Sequence, residues 1–197
     1  MPRPRRQSRE ALQATILAAA RHILAQDGIA GLSARAIARD IGYTPASIYT
    51  VFDSMSDLLI EVNRDTIAQL AKMLAHHGTA EAPEAGLRAM LLGYIAFMRE
   101  NRALWYAFFG GLREREEFPP WFTASISSLM ESIAAMLRAY APALDDATAL
   151  RHAEQIYAAI HGAIALDIDR RLDLVTRQSA EDLALAALDA MLARLGA

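Results

Sequence analysis

A short run of small polar residues near the N-terminus carries the groups best suited to recognising a partner. Hydroxyl groups both donate and accept hydrogen bonds, and a guanidinium donates through several N–H groups. Phosphate oxygens and the edges of bases in double-stranded DNA are partners that such groups recognise, and a small methyl group can meet a thymine methyl. The residues that we assign to this chemistry are Arg35, Thr44, Pro45, Ala46, Ser47, Tyr49 and Thr50.

Two short helices joined by a tight turn, predicted over residues 33–52, would position these groups. Ser33 is a suitable N-cap for the first helix, and Gly42 ends it because glycine adopts the left-handed conformation without a steric penalty. Thr44 and Pro45 suit the cap and the first position of the second helix. This pattern is typical of a DNA-binding helix-turn-helix, although an ordinary helical hairpin would show the same signals.

Charge is distributed unevenly along the chain, although the net charge is only −3. Residues 1–52 contain seven arginines and three acidic residues, a balance of +4, so the rest of the chain carries −7. This asymmetry favours contact of a polyanion with the N-terminal part alone. Arg5 and Arg6 lie in a basic arm predicted over residues 1–9, which either reaches DNA or acts only as a solubilising tail.

The composition predicts an all-α protein without disulfides. Of the 197 residues 54% are hydrophobic, glycine and proline are few, and cysteine is absent. No uncharged stretch approaches the roughly 20 residues that a membrane-spanning helix needs. No apolar signal-peptide core follows the basic N-terminus, so we expect a cytoplasmic protein that does not bind membranes.

Histidine and carboxylate residues form no catalytic or metal-binding pattern in this sequence. His76 and His77 are adjacent and would point to different faces of a helix, and His161 has no carboxylate three or four residues away. A glycine-rich phosphate loop is also missing. We therefore predict that the protein is not an enzyme and has no catalytic residue, metal or cofactor.

Helical periodicity predicts nine helices and no strand. A three-helix head lies within residues 10–70, and a long helix over about residues 54–77 connects it to a second domain, residues 71–197. The helix predicted at 84–101 is apolar almost all round, which predicts burial on every side. The penultimate helix is predicted to extend from residue 146 to about 172.

This order of parts resembles the TetR family of bacterial transcriptional regulators. The residues of the head that match the family pattern are Ile37-Ala38, Gly42-Tyr43-Thr44, Ile48-Tyr49, Phe52 and Leu58. Ile160-His161-Gly162 is also similar to a His-Gly element in a subgroup of its C-terminal domains. The resemblance implies a homodimeric, ligand-responsive regulator, typically a repressor released from a palindromic DNA operator by a small apolar or amphipathic effector.

Three positions in the head depart from the family pattern. Val51 stands where the family often has a polar residue, Met55 where it commonly has a phosphate-contacting lysine, and Thr50 where it often has a larger side chain. Fewer cations should weaken sequence-independent binding and flatten its salt dependence. These departures support a second hypothesis, a helical ligand-binding or interaction protein whose head has lost strong DNA binding.

Aromatic residues are concentrated in the middle of the sequence, where seven of the fourteen lie within residues 105–122. Aromatic and methionine side chains line apolar ligand pockets, but they also fill ordinary cores, and the sequence leaves both readings open. The resemblance implies an effector pocket here. The predicted effector contacts are Tyr94, Met98, Trp105, Tyr106, Phe109, Trp121, Phe122, Tyr157 and His161. His161 would equally fit a hydrogen-bonded interior histidine.

The last two helices are the predicted dimer interface, because one helix-turn-helix reads too few bases for specificity. Frequent alanines would allow close approach, and two helices from each chain would form a four-helix bundle. The alternative is that the same faces cover the core of a single chain. The predicted interface residues are Ile156, Ile160, Ala163, Ile164, Leu183, Ala187, Leu188 and Met191.

Overall fold

The computed structural model describes residues 8–110 and 117–196, which form nine α-helices and no strand. The helices are α1 (Arg9–Gly31), α2 (Ala34–Ile41), α3 (Pro45–Ile48), α4 (Met55–Gly78), α5 (Pro83–Glu100), α6 (Arg102–Trp105), α7 (Pro120–Tyr140), α8 (Asp146–Ile168) and α9 (Ala180–Leu195). The all-α prediction is confirmed. None of the described helices is long and apolar enough to cross a membrane. The predicted arm residues Arg5 and Arg6 lie outside the described residues.

Contacts divide the chain into two compact units. The first lies within Met1–Thr66 and Ala103–Phe118, and the second within Ile67–Arg102 and Pro119–Ala197. Helix α4 crosses the boundary, so its N-terminal half belongs to the first unit and its C-terminal half to the second. The domain division predicted from the sequence places the aromatic segment 103–118 in the C-terminal domain, whereas its contacts group it with the head.

Helix α1 is the centre of the first unit, where it packs against α2 and against the π-helical turn Tyr106–Gly110 that follows α6. Ser8 caps α1 by accepting a hydrogen bond from the N–H of Ala11 at 3.2 Å. Gly28 interrupts α1 with φ 67°, a conformation that favours glycine, at the position where the sequence predicted the helix to end. A further helical segment then continues to Gly31.

Helix α4 begins at Met55 because Ser54 caps it. The Ser54 hydroxyl accepts from the N–H of Asp57 at 3.1 Å and donates to its carboxylate at 2.7 Å. In the first turn the negative charge of Asp57 also suits the positive end of the helix dipole. The head is thereby followed by one continuous helix that ends at Gly78.

In the second unit α5 packs against α7, α8 and α9, and α8 packs against both α7 and α9. Local caps begin both α8 and α9: Asp145 accepts from Thr148 N–H, and Ser179 and Asp182 form a reciprocal capping box. The predicted burial of α5 on every side is wrong. One stripe of α5 is exposed because its neighbours cover only the opposite side, and the exposed residues are Ala85, Ala89, Leu92 and Ala96.

Helix α8 ends at Ile168, four residues before the predicted end. Arg170 takes φ 56°, and the N–H of Arg171 bonds to the carbonyl of Leu166 at 2.7 Å. The chain turns here because Leu172 inserts into a buried cluster with Ala163 and Ala180, which a straight continuation of the helix would not reach. A short 3₁₀ turn, Leu172–Leu174, follows.

Helix α5 lies close to the C-terminal half of α4 because two glycines face it. A Cβ atom at Gly86 would come within 2.7 Å of the carbonyl oxygen of His77. One at Gly93 would meet the sulfur of Met73 at 3.2 Å and the Nε2 atom of His77 at 3.4 Å. Any displacement of α5 at these positions therefore acts directly on α4.

Candidate nucleic-acid interface and effector site

The first helix of the predicted motif, α2, begins and ends at the residues that the sequence indicated. The hydroxyl of Ser33 accepts from the N–H of Ala36 at 3.1 Å, and Gly42 ends the helix with φ 73°. The N–H of Tyr43 bonds to the carbonyl of Ala38 at 2.8 Å, which completes the helix end. Because α2 buries Ile37 and packs on α1, the turn that follows has a fixed direction.

The second helix of the motif is shorter than predicted. Regular helix covers only Pro45–Ile48, and the chain continues through a turn to the buried Phe52, whose N–H bonds to the carbonyl of Ile48. Thr44 occupies the N-cap position but makes no cap bond, which corrects its predicted role. Its hydroxyl instead lies 2.9 Å from the Ser47 hydroxyl.

Most of the residues predicted to contact DNA are exposed on the head. Thr50 donates from its hydroxyl to the carbonyl of Ser47 at 2.7 Å, and Tyr49 is 50% exposed. Ser47 is half-buried, and the other predicted contacts are exposed: Arg35, Thr44, Pro45, Ala46, Tyr49 and Thr50. These positions leave donors, acceptors and a methyl group open to a nucleic acid, although the role itself stays a prediction.

Two residues outside the predicted set lie near the motif. Tyr43 is 38% exposed at the turn, beside Thr44, and a tyrosine next to a glycine turn is the signal that would have found it. The Nη2 atom of Arg9 lies 3.4 Å from the carbonyl oxygen of Val51 and donates to it. No sequence signal predicts this long-range contact, which ties the start of α1 to the end of the motif.

Two of the three positions that depart from the family pattern are half-buried, and the third, Thr50, is exposed. Val51 and Met55 both have intermediate exposure, so part of each side chain packs on the head. Farther along the same unit, Arg21 of α1 pairs with Asp65 of α4 at 2.7 Å. That pair joins α1 to the N-terminal half of α4, although its Asp65 side chain is 61% exposed and such a pair contributes little to stability.

The residues predicted to contact an effector fall into the two units. Trp105, Tyr106 and Phe109 belong to the first unit, where the rings of Trp105 and Phe109 are 4.5 Å apart. Six belong to the second unit: Tyr94, Met98, Trp121, Phe122, Tyr157 and His161. Trp105 is buried and Tyr106 is partly exposed, so the predicted set is not one uniform surface.

Three of the six meet at a partly buried place in the second unit, where Tyr94 is buried and Tyr157 and His161 are half-buried. The hydroxyl of Tyr94, a residue on α5, lies 3.4 Å from the Nδ1 atom of His161 on α8. The ring centroids of Tyr157 and His161 are 5.3 Å apart, and those of Tyr94 and Tyr157 are 6.1 Å apart. This cluster brings polar atoms together inside an apolar surrounding, the arrangement expected of either a ligand site or a satisfied core.

Burial keeps this cluster uncharged. It raises the pKa of the Tyr94 hydroxyl well above its usual value, with a smaller contribution from Tyr157, and it also raises the pKa of Tyr157. It lowers the pKa of His161, because partial burial disfavours the charged imidazolium. The cluster therefore offers neutral hydrogen-bonding groups.

Most residues predicted to form a dimer interface are buried within one chain. Ile164 is fully buried and Leu188 nearly so, because the faces that carry them form the contact between α8 and α9. Six of the predicted interface residues are buried inside the single chain and cannot form an interface as predicted: Ile156, Ile160, Ala163, Ile164, Leu188 and Met191. Leu183 and Ala187 are half-buried. Periodicity found the apolar face of each helix, and that face is used inside the chain.

Two sequence profiles match this chain. The one described as bacterial regulatory proteins, tetR family, matches residues 16–62, and the one described as tetracyclin repressor-like, C-terminal domain, matches residues 87–194. The second covers more than half of the chain. The protein belongs to the TetR family of bacterial regulatory proteins. The predicted membership of this family is thereby confirmed.

Relatives and solved structures agree with this assignment. An HTH-type transcriptional regulator of Mycobacterium bovis is 30% identical over 127 residues, which cover 63% of this chain and 54% of the relative. The chain thus spans about half the length of the curated relatives it matches. A protein with unknown function from Rhodococcus sp. RHA1 shares the fold with a TM-score of 0.74, 22% identity, and coverage of 98% and 99% of the two chains.

A further solved structure has a ligand. FadR of Thermus thermophilus, described as a TetR family transcriptional repressor in complex with lauroyl-CoA, has a TM-score of 0.70 and 14% identity. The match covers 91% of this chain and 93% of that one. At this identity the likeness establishes the fold alone.

Proposed function

We propose that this protein is a ligand-responsive repressor that acts as a homodimer on palindromic double-stranded DNA in the cytoplasm. The observation that carries the proposal is the exposed surface around α3. Thr44, Ala46, Tyr49 and Thr50 open to solvent on a scaffold fixed by Ser33. A surface of this composition suits the phosphates and base edges of a major groove.

The effector in this proposal is a small apolar or amphipathic molecule that binds in the second unit. The neutral cluster of Tyr94, Tyr157 and His161 supports it by offering hydrogen bonds in an apolar surrounding. The lauroyl-CoA complex of the Thermus thermophilus repressor shows that a protein of this fold accepts an amphipathic ligand. The same class of molecule is therefore the first to test here.

The response in this proposal passes through α4. An effector that displaces α5 pushes on α4 where Gly86 and Gly93 bring the two helices close together. Because α4 continues without a break into the head, its tilt changes the position of the motif and the spacing of the two heads. The effector acts only through different affinities for the operator-binding and released conformations.

The dimer in this proposal uses the outward surface of α8 and α9, since the inward faces are already occupied. Small side chains are exposed there, among them Ala158 and Gly162 of α8 and Ala186 and Ala190 of α9. A face of this kind lets two helix pairs approach closely in a four-helix bundle. Two heads held by a two-fold axis would then read two half-sites.

Fluorescence anisotropy with a labelled fragment from upstream of the protein's own gene tests DNA binding. We expect a dissociation constant of about 10⁻⁸ M or below at physiological salt, and a loss of at least tenfold in the variant Tyr49→Ala. Thr79→Ala, far along the chain, serves as the control. Binding that is only micromolar and equal for both variants would favour a head that no longer reads DNA.

The effector is tested separately, with lauroyl-CoA and 1-dodecanol as probes. Thermal shift reports binding to the purified dimer, and anisotropy reports operator affinity at the same probe concentrations. The proposal expects a bound probe to lower operator affinity. A probe that binds without changing operator affinity contradicts the ligand-responsive part and leaves the DNA-binding part intact.

A further inference from the structure

One polar contact of the second unit is longer than a well-formed hydrogen bond. The hydroxyl oxygen of Tyr94 lies 3.4 Å from the Nδ1 atom of His161. A strong bond between a hydroxyl group and a ring nitrogen is about 2.7–3.0 Å long, so the direct interaction is weak. A small widening of the pair lets a third oxygen atom lie about 2.8 Å from both atoms and bond to each of them. The pair is therefore spaced to take one oxygen atom of another molecule.

The two α8 residues of the cluster are accessible to solvent. Tyr94 of α5 is buried, whereas Tyr157 and His161 are half-buried. Tyr157 and His161 are four positions apart and therefore lie on one side of α8, one turn from each other. Their rings are the accessible part of the cluster, and the Tyr94 hydroxyl is its inner part. A small molecule can thus reach the cluster from solvent.

The surroundings of the Tyr94–His161 pair are aromatic and apolar. The ring of Tyr157 is tilted by 36° to that of His161 and by 47° to that of Tyr94, with centroids 5.3 and 6.1 Å away. Aromatic rings attract one another at centroid distances of about 4.5–7 Å. Met98, one turn along α5 from Tyr94, is buried, and a methionine sulfur also packs well against rings. An additional aromatic ring therefore suits this place.

The cluster offers no positive charge to an anion. Burial lowers the pKa of His161, so its imidazole is uncharged at neutral pH. Both arginines of α5, Arg88 and Arg99, pair with carboxylates of the same chain. Arg151, the arginine of α8, lies ten positions before His161, about 15 Å along the helix. A carboxylate that gave up its hydration here would gain no counter-charge from either helix, which disfavours its binding.

We propose that the effector is an uncharged phenol whose hydroxyl group bridges Tyr94 and His161 while its ring packs against Tyr157. The phenol accepts a hydrogen bond from the Tyr94 hydroxyl and donates one to the Nδ1 atom of His161, whose own proton is then on Nε2. The inference rests on the effector of the proposed function. It narrows the class from any small apolar or amphipathic molecule to an aromatic ring with an uncharged hydroxyl group.

Three probes of matched shape test this class on the full chain: 4-butylphenol, 4-butylanisole and 4-butylbenzoate. Isothermal titration calorimetry at neutral pH, where the phenol is uncharged and the benzoate is ionised, measures the dissociation constant of each. We expect the phenol to bind about tenfold or more tightly than the anisole, because the ether has no hydrogen to donate to Nδ1. The benzoate should also bind about tenfold or more weakly than the phenol, because its charge has no partner.

Two variants separate the two hydrogen bonds of the bridge. His161→Phe keeps a ring and removes the acceptor, so the phenol and the anisole should bind within about threefold of each other. Tyr94→Phe removes the donor to the oxygen of either probe, so both should weaken by about fivefold or more and the preference for the phenol should remain. Tyr140→Phe is the matched control on α7, where the Tyr140 hydroxyl lies 3.5 Å from the carbonyl oxygen of Leu192. It should leave all three affinities unchanged.

The outcomes separate this inference from the proposed function. Equal affinity of the wild type for the phenol and the anisole overturns the bridge, and so does a preference that persists in His161→Phe. A benzoate that binds as tightly as the phenol overturns the exclusion of anions. If none of the three probes binds, the inference fails, whereas operator release by lauroyl-CoA or 1-dodecanol would still support the proposed function. A bound phenol that leaves operator affinity unchanged overturns its role as the effector.

Discussion

Arg102 donates a hydrogen bond to Ile168, the last residue of α8, which lies 66 positions away in the sequence. Its Nη2 atom donates to the carbonyl oxygen of Ile168 at 2.7 Å and lies 3.5 Å from that of Asp167. The last carbonyls of a helix have no partner within it and form its negative end, so a guanidinium satisfies both requirements. Arg99 adds to this attachment by pairing with Asp167 at 2.7 Å and with Glu181.

Replacing Arg102 with methionine should therefore destabilise the second unit. We expect Arg102→Met to lower the free energy of unfolding by about 1–2 kcal/mol, because carbonyls at the end of α8 lose a charged donor at a half-buried site. Urea denaturation measures it. Arg138→Met is the control, since Arg138 pairs at 3.1 Å with an Asp146 side chain that is 92% exposed, and exposed pairs contribute little. Equal losses in the two variants would contradict the role of Arg102.

Gly86 and Gly93 should respond differently to the same substitution. In Gly86→Ala the new methyl group would stand 2.7 Å from a backbone carbonyl oxygen, that of His77, so α5 and α4 must separate. We expect a loss of about 1–3 kcal/mol in the free energy of unfolding. In Gly93→Ala the neighbours are the movable side chains of Met73 and His77, so the loss should be smaller. Urea denaturation of both variants measures these losses. A larger loss of unfolding free energy in Gly93→Ala than in Gly86→Ala would contradict the close approach of α5 to α4 at Gly86.

His161 should make the protein less stable in mild acid. Burial lowers its pKa from the ordinary value of 6.5, so just below that pH the unfolded chain binds a proton that the folded chain does not. The contribution of neutral His161 to the free energy of unfolding is fully present above about pH 6.5. It is lost as the pH falls toward the lower pKa of His161 in the folded chain. The melting temperature of the wild type should therefore fall more between pH 7.5 and 5.5 than that of His161→Asn.

Two other histidines affect the interpretation of this pH experiment. The pKa of His77 is also lowered, by burial and by neighbouring His76, so His161→Asn should retain part of the acid sensitivity. His152→Asn controls for the loss of a histidine on the surface, where His152 lies 3.1 Å from Gln155. If His161→Asn and the wild type show the same pH dependence, burial of His161 has no effect on stability.

Restoring a lysine at residue 55 should strengthen DNA binding without changing its sequence preference. Met55→Lys adds one cation to the start of α4, and each phosphate neutralised steepens the slope of log K against log salt by about 0.9. Anisotropy titrations at several salt concentrations measure the slope. Ala71→Lys, an exposed site farther along α4, is the control. An unchanged slope in Met55→Lys would show that residue 55 does not face the phosphates.

Arg170→Gly should stabilise the folded chain. Glycine accepts φ 56° without strain, so the free energy of unfolding should rise by about 0.5–1 kcal/mol. Urea denaturation measures this free energy. A variant that is less stable than the wild type would contradict backbone strain at Arg170.

Short-range chemistry determined much of the fold. Ser33 caps α2 as predicted, and Ser54, Asp145 and Ser179 cap their helices in the same way, because a cap depends on residues within one turn of the chain. Gly42 ends α2 in the left-handed conformation for the same local reason. These local signals were enough to predict the helix-turn-helix and the family. The same signals placed the hydroxyl groups of the motif.

Tertiary structure alone decided which apolar faces are shared within the chain. Ile160 and Leu188 have the spacing of an interface, but α8 and α9 use those faces for each other, and the outward face carries small and charged residues instead. Hydropathy likewise predicted full burial of α5, yet Leu92 is exposed because three neighbours cover only part of the helix. No pattern in the sequence predicts the hydrogen bond from Arg102 to the carbonyl of Ile168. Periodicity records that a face is apolar, whereas the packing of distant segments decides what covers it.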